Sequence, residues 1–140
     1  MRRITVSVMA AVACLTAYGQ GNISPFKGYF YNDEYRIYIR MNLYDKDITV
    51  PGYEMFGNLP GYLGKKNNNF YWLITSGKTV SEDKAELELI NDYGSEDLKA
   101  TVTAVNDSTF ILTQGSGSTL KVPNNRKWQK LPKVIRLKKE

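Results

Sequence analysis

The stretch Glu34-Tyr35-Arg36-Ile37-Tyr38-Ile39-Arg40-Met41-Asn42-Leu43-Tyr44 decides the fold. Tyr35, Ile37, Ile39, Met41 and Leu43 alternate with Arg36, Tyr38, Arg40, Asn42 and Tyr44. Successive side chains of a strand point to opposite sides. This is therefore a half-buried strand whose first set faces a core and whose second faces solvent or a ligand.

The same period of two recurs outward in both directions. Phe26 to Tyr31 reads as a preceding strand, with Asn32-Asp33 as a tight turn. Ile48 to Val50 is a short strand stopped by Pro51-Gly52. Phe70 to Thr75 follows, then Lys84 to Asn91, where strict alternation outweighs a helix that Ser81 could cap. Leu98 to Val105, Thr109 to Gln114, Thr119 to Val122 and Lys133 to Lys138 complete the set. Asn106-Asp107-Ser108 and Gly115-Ser116-Gly117-Ser118 read as turns. Residues 51–69, rich in Gly and Pro, read as one long irregular region carrying Tyr53, Met55, Phe56, Leu59, Tyr62 and Leu63. Short strands with turns every few residues predict an all-β fold. Sequential hairpins favour an antiparallel up-and-down meander barrel of about eight strands, with a β-sandwich as the alternative.

The N-terminus has a different character. Arg2 and Arg3 precede an uncharged run from Ile4 to Ala17, which ends in the small-x-small site Ala17-Tyr18-Gly19. That order is a secretory signal peptide, so residues 1–19 are expected to be removed and residues 20–140 to form a single β-barrel domain. The expected location is periplasmic or secreted. The alternative is a lipid anchor: Ala11-Val12-Ala13-Cys14 is similar to a lipoprotein processing site, though Ala11 stands where Leu is usual. A membrane association is expected only if Cys14 is lipidated.

Composition narrows the chemistry. The 140 residues include one Cys and no His. With Cys14 removed or lipidated, the mature domain has no His and no free Cys, and so lacks the commonest metal ligands. Ser-His-Asp and Cys-His catalysis are impossible within the chain. No metal and no cofactor are expected. The net charge of +5 falls by two when Arg2 and Arg3 leave, too little to argue for nucleic acid. Ten Tyr, five Phe and two Trp suggest an aromatic core or an aromatic binding surface.

Gly57 to Lys66 has the glycines of a phosphate loop but not the spacing, since Lys66 stands where Ser or Thr would hold magnesium. Asn22-Ile23-Ser24 and Asn106-Asp107-Ser108 match the glycosylation sequon but read as turn chemistry. Glu86 and Glu88 share one strand face and could form a carboxylate pair, or could simply face lysines of a neighbouring strand. Tyr53, Phe56, Tyr62, Tyr71 and Trp72 are the candidate ligand-binding residues. Arg126, Lys127, Trp128 and Lys130 form a candidate basic surface within a cationic C-terminal segment, which could equally complement the acidic stretch from Glu82 to Asp97.

The pattern resembles the calycin group of lipocalin-like and avidin-like barrels. Lipocalins carry Gly-x-Trp in the first strand, with an Arg from near the last strand packed over the Trp. Here Gly28-Tyr29-Phe30 and Arg136 stand in the corresponding places, with Phe30 replacing the Trp. The resemblance implies a closed barrel with a ligand cavity at one mouth. The expected function is thus an exported, non-catalytic binding protein with a small apolar or carbohydrate ligand at the barrel mouth. The alternative is a protein–protein module, an inhibitor or an envelope accessory factor acting through the basic C-terminal surface. A carboxylate-based hydrolase is the remote third.

Overall fold

A computed structural model describes residues 24–91 and 96–140. The proposed signal peptide and Cys14 lie outside the described residues. Twelve strands occur among them: β1 (Lys27–Asn32), β2 (Ile37–Asn42), β3 (Ile48–Thr49), β4 (Asn58–Leu59), β5 (Gly61–Lys65), β6 (Tyr71–Ser81), β7 (Lys84–Asn91), β8 (Asp97–Ala104), β9 (Thr109–Gly117), β10 (Lys121–Asn124), β11 (Lys127–Lys130) and β12 (Val134–Lys139).

Eight of these close into an antiparallel barrel in meander order, β1-β2-β5-β6-β7-β8-β9-β12 and back to β1. Closure leaves no unpaired sheet edge. The other four strands form two side hairpins. β3–β4, with the short 3-10 turn Glu54–Phe56, is inserted between β2 and β5; β10–β11 is inserted between β9 and β12.

The alternation read in Glu34–Tyr44 holds where it matters. Ile37, Ile39 and Met41 are buried inward. Tyr38 and Arg40 face outward. The strand starts later than expected, because Arg36 takes a left-handed conformation (φ 56°) in the turn, where the Asn32 side chain accepts a hydrogen bond from the Tyr35 amide at 2.8 Å. The interior is filled by side chains: Phe30, Phe110, Trp72, Leu63, Leu87, Leu89 and Leu112 all belong to one buried cluster.

Three expectations are corrected. First, β5 lies inside the region read as irregular, because Gly61 and Gly64 read as strand breakers. Both instead permit close approach within the sheet. A Cβ on Gly61 would collide with the Arg40 carbonyl, and one on Gly64 would lie 2.7 Å from the Tyr38 hydroxyl. Second, Ile48–Val50 and Thr119–Val122 are not barrel strands; they belong to the side hairpins or their flanks. Third, Gly115–Gly117 is not a turn. β9 runs through it with an irregularity, pairing Gln114 with Ala100 and Gly117 with Leu98. By contrast, Asn106 behaves as turn chemistry: its Oδ1 accepts the amides of Ser108 and Thr109, both at 2.9 Å.

Hairpin β10–β11 closes one end of the barrel. Leu120, Val122 and Leu131 are buried in the main cluster. Trp72 Nε1 donates to the Lys121 carbonyl at 2.8 Å. The Gln114 side chain ties both stems of the segment: its amide nitrogen donates to the carbonyls of Leu131 (3.2 Å) and Pro132 (2.9 Å), and its oxygen accepts the Leu120 amide at 2.6 Å. The other end is closed by Phe26, packed edge-on to Phe110 at 6.0 Å.

Candidate functional site

Strand register lays out the outer face of β12, β1, β2, β5 and β6 in two rows. One row runs Lys138, Tyr31, Tyr38, Gly64, Tyr71. The next runs Tyr29, Arg40, Tyr62, Leu73. Because these positions alternate with the inward set, a mainly apolar core on one side leaves a tyrosine-rich surface on the other.

The rings touch in sequence. Tyr31 meets Tyr29 at 6.1 Å, Tyr29 stacks on Tyr38 at 5.4 Å, and Tyr38 meets Tyr62 edge-on at 6.0 Å. Tyr62 meets Tyr71 at 5.2 Å, Tyr71 meets Tyr53 at 6.4 Å, and Tyr53 stacks on Phe56 at 6.1 Å. The result is a continuous band of seven rings across the outside of the barrel. Offset and edge-on pairs of this kind are favourable beyond their buried area.

The insertion 48–59 folds back over part of this band. Val50, Tyr62, Tyr71 and Leu73 form a second buried cluster, with Ile48, Tyr53 and Leu59 packed against it. The accessible rings are therefore Tyr29, Tyr31 and Tyr38 at one end and Tyr53 and Phe56 at the other. Phe56 is 52% exposed and its neighbour Met55 is 78% exposed. Gly64 lets the Tyr38 ring lie flat across β5.

Burial, and then the neighbouring phenols of Tyr62 and Tyr71, raise the Tyr38 pKa well above the usual tyrosine range. Burial also raises that of Tyr62, with Arg40 opposing it. Both phenols stay neutral and hydrogen-bonding at any physiological pH. An alkaline titration followed by phenolate absorbance should show Tyr38 ionising well after an ordinary tyrosine, whose pKa is about 10, with Tyr62 raised in the same direction. The folded-state values are raised. The stability they contribute is thus complete below about pH 10 and is lost as pH rises above it toward the folded values. Simultaneous ionisation of every tyrosine in the folded protein would contradict the burial.

The sequence-based candidates separate into two groups. Tyr53, Phe56, Tyr62 and Tyr71 come together in the outer band. Trp72 does not join them: it points the other way from Tyr71, is fully buried, and packs inside the barrel against Phe70 at 6.5 Å. Adjacent strand positions face opposite sides, so Tyr71 and Trp72 could not share one surface. Tyr29 and Tyr31 join the band through strand register, and their flanking of inward Phe30 carries the same alternation.

Arg126, Lys127, Trp128 and Lys130 do share one element, the β10–β11 hairpin, whose turn holds Asn125 and Arg126 at φ 52° and 67°. Trp128 is 46% exposed, sits 5.0 Å from Phe70, and lies under the Lys121 ammonium at 5.3 Å. Lys121 also pairs with Glu96 at 2.8 Å, so part of the C-terminal charge does complement the acidic segment. The rest is dispersed. Lys139 lies at the opposite end of the barrel, and Arg136 and Lys138 face outward on β12.

Glu86 and Glu88 project from the outer face of β7, with Lys78 across from Glu86 and Lys99 across from Glu88. Among the described residues no group of three or more His, Cys, Asp or Glu could hold a metal ion. No helix among them is long and apolar enough to cross a membrane.

The cation over Phe30 is Lys139 rather than Arg136. Its Nζ lies 5.5 Å from the Phe30 ring and 5.8 Å from Phe110, and donates to the carbonyls of Pro25 (3.1 Å) and Ser24 (3.4 Å). Burial lowers its pKa, with Asp107 opposing. The positive φ of Gly28 (144°) and its missing Cβ leave room for the lysine chain, whose Cε would be 3.1 Å from a Cβ there. Comparisons with family models, curated proteins and solved structures return no match for this chain.

Proposed function

We propose that this chain is an exported, non-catalytic binding domain that takes a glycan on the outer tyrosine face of a calycin-like barrel. The observation that carries the reading is the band of touching rings from Tyr31 to Phe56, partly exposed at both ends. Aromatic faces stack on sugar rings, and tyrosine hydroxyls add the few polar contacts that fix orientation. A small apolar ligand would instead need an enclosed chamber. Here Phe30, Trp72, Leu63 and Leu112 occupy the barrel interior. The calycin-like reading is supported by a last-strand cation packed over the first-strand aromatic, Lys139 over Phe30. Export rests on Arg2–Arg3, the apolar run and Ala17-Tyr18-Gly19, and a membrane tether is the alternative if Cys14 is lipidated. No catalytic role is assigned to Glu86 or Glu88, which face lysines as a solvated strand face would.

Removing two partly exposed rings together, Tyr31→Ala with Tyr38→Ala, should weaken glycan retention in affinity electrophoresis at least tenfold. Lys99→Gln, on the far side of the barrel, should leave it unchanged. Equal retention of the double variant and the unmutated protein would refute the reading.

A second reading is favoured by one specific feature, the half-exposed Trp128 near Lys130 on the β10–β11 hairpin. In that reading the hairpin docks an acidic envelope protein. Lys127→Glu with Lys130→Glu should then abolish salt-sensitive capture from envelope extract while leaving glycan binding intact.

A further inference from the structure

We infer that the glycan taken by the outer face is acidic, with carboxylates on its sugar rings; this rests on the binding reading above and specifies its ligand class. The inference comes from how charge is distributed around the rings. The strand residues of β12, β1, β2 and β5 contain no Asp or Glu, but their outward positions include Lys27, Arg40, Arg136 and Lys138. The carboxylates within the barrel strands lie elsewhere, Glu86 and Glu88 on β7 and Asp97 on β8; at the margins of the ring rows, Asp33 and Glu34 occupy the β1–β2 turn and Glu140 follows β12, its amide donating to the Tyr29 carbonyl at 3.0 Å.

Two of these cations sit inside the ring rows. Arg40 stands directly between Tyr29 on β1 and Tyr62 on β5. Lys138 stands directly across from Tyr31. Arg36, in the turn leading into β2, borders the same end, and Lys66 lies 5.5 Å from the Tyr31 ring. The two lysines nearest to acids are already paired, Lys66 with Asp33 at 3.5 Å and Lys27 with Asp45 at 3.8 Å. Arg36, Arg40, Arg136 and Lys138 have no carboxylate within ion-pair distance among the described residues.

A neutral sugar would use the rings and leave these charges unmatched. A uronate polymer uses both: its ring faces lie on tyrosine, and its carboxylates reach a guanidinium whose planar fork donates to them in bidentate fashion. Charge complementarity also favours encounter with an extended polyanion. A bare polyanion, conversely, would gain nothing from the rings.

The test measures binding of the full mature protein to polygalacturonate, to the same polymer with its carboxyls reduced to alcohols, and to poly-L-glutamate. Polygalacturonate should bind at least tenfold more tightly than either control. Arg40→Gln should cost about tenfold against polygalacturonate, a larger loss than it causes against the reduced polymer. Equal binding of the acidic and reduced polymers, unaffected by Arg40→Gln, would overturn the charge inference while sparing the tyrosine platform. Equal binding of poly-L-glutamate would overturn it by showing that charge alone suffices. Binding of neither sugar polymer, with a Tyr38-dependent protein partner captured instead, would overturn both this inference and the reading on which it rests. Because Arg40 is exposed, Arg40→Gln should keep the unmutated circular-dichroism spectrum, and Lys138→Gln provides a second, independent substitution at the same face.

Discussion

Trp72→Ala should destabilise the domain by about 3–5 kcal/mol, the cost of emptying a large aromatic site in a packed core. Trp72 is fully buried, packs against Phe70, and lies in the same inward row as Leu63 and Asn91. Its indole N–H holds the Lys121 carbonyl at 2.8 Å. The substitution therefore removes packing and also releases the barrel from its capping hairpin. Domains of this size have total stabilities of about 5–15 kcal/mol, so the variant should lose a large share of its margin. Its urea midpoint should fall sharply with little change in slope. Trp72→Phe keeps much of the ring volume but loses the hydrogen bond, and should cost less than Trp72→Ala. If Trp72→Ala instead left stability intact and abolished ligand binding, Trp72 would belong to a site and not to the core.

Gln114→Ala is expected to be the second severe substitution, at about 3 kcal/mol. Three hydrogen bonds would be lost at once, to Leu131, Pro132 and Leu120. The Leu120 amide would be left buried without a partner, and such a group costs about 1–3 kcal/mol by itself. A cavity adds to that. The effect should be local as well as global. Hydrogen exchange should accelerate first across residues 118–133, whose two stems Gln114 ties together, before the rest of the barrel opens. Uniform protection of that segment in Gln114→Ala would show that burial of Leu120, Val122 and Leu131 holds the hairpin without it.

Much of the barrel was legible because its strands obey a strict period of two. Lys84–Asn91 is the clearest case: Ala85, Leu87 and Leu89 are inward, and Glu86 and Glu88 outward. β5 was hidden because Gly61 and Gly64 serve contacts between strands, which local sequence does not display. The β10–β11 hairpin was only half visible, since Pro123 and the polar run Asn124-Asn125-Arg126 look like loop. The candidate site was legible in kind but not in composition. Tyr53, Phe56, Tyr62 and Tyr71 were recognisable as aromatics near a long loop. Trp72 looks like one of them in sequence because both faces of Phe70–Thr75 are apolar. One face is apolar because it lines the barrel, the other because the insertion 48–59 covers it. Tyr29, Tyr31 and Tyr38 meet only through strand pairing, so their convergence appears with register and not before.

The most direct test of the proposed binding face is a side-chain NMR titration with an oligogalacturonate. The ring resonances of Tyr29, Tyr31, Tyr38 and Tyr53 should shift with a common binding curve, while the methyl groups of Leu63, Leu87 and Leu112 stay unperturbed. Methyl shifts in the barrel interior with silent tyrosine rings would mean that the ligand enters the core, and would contradict binding on the outer face.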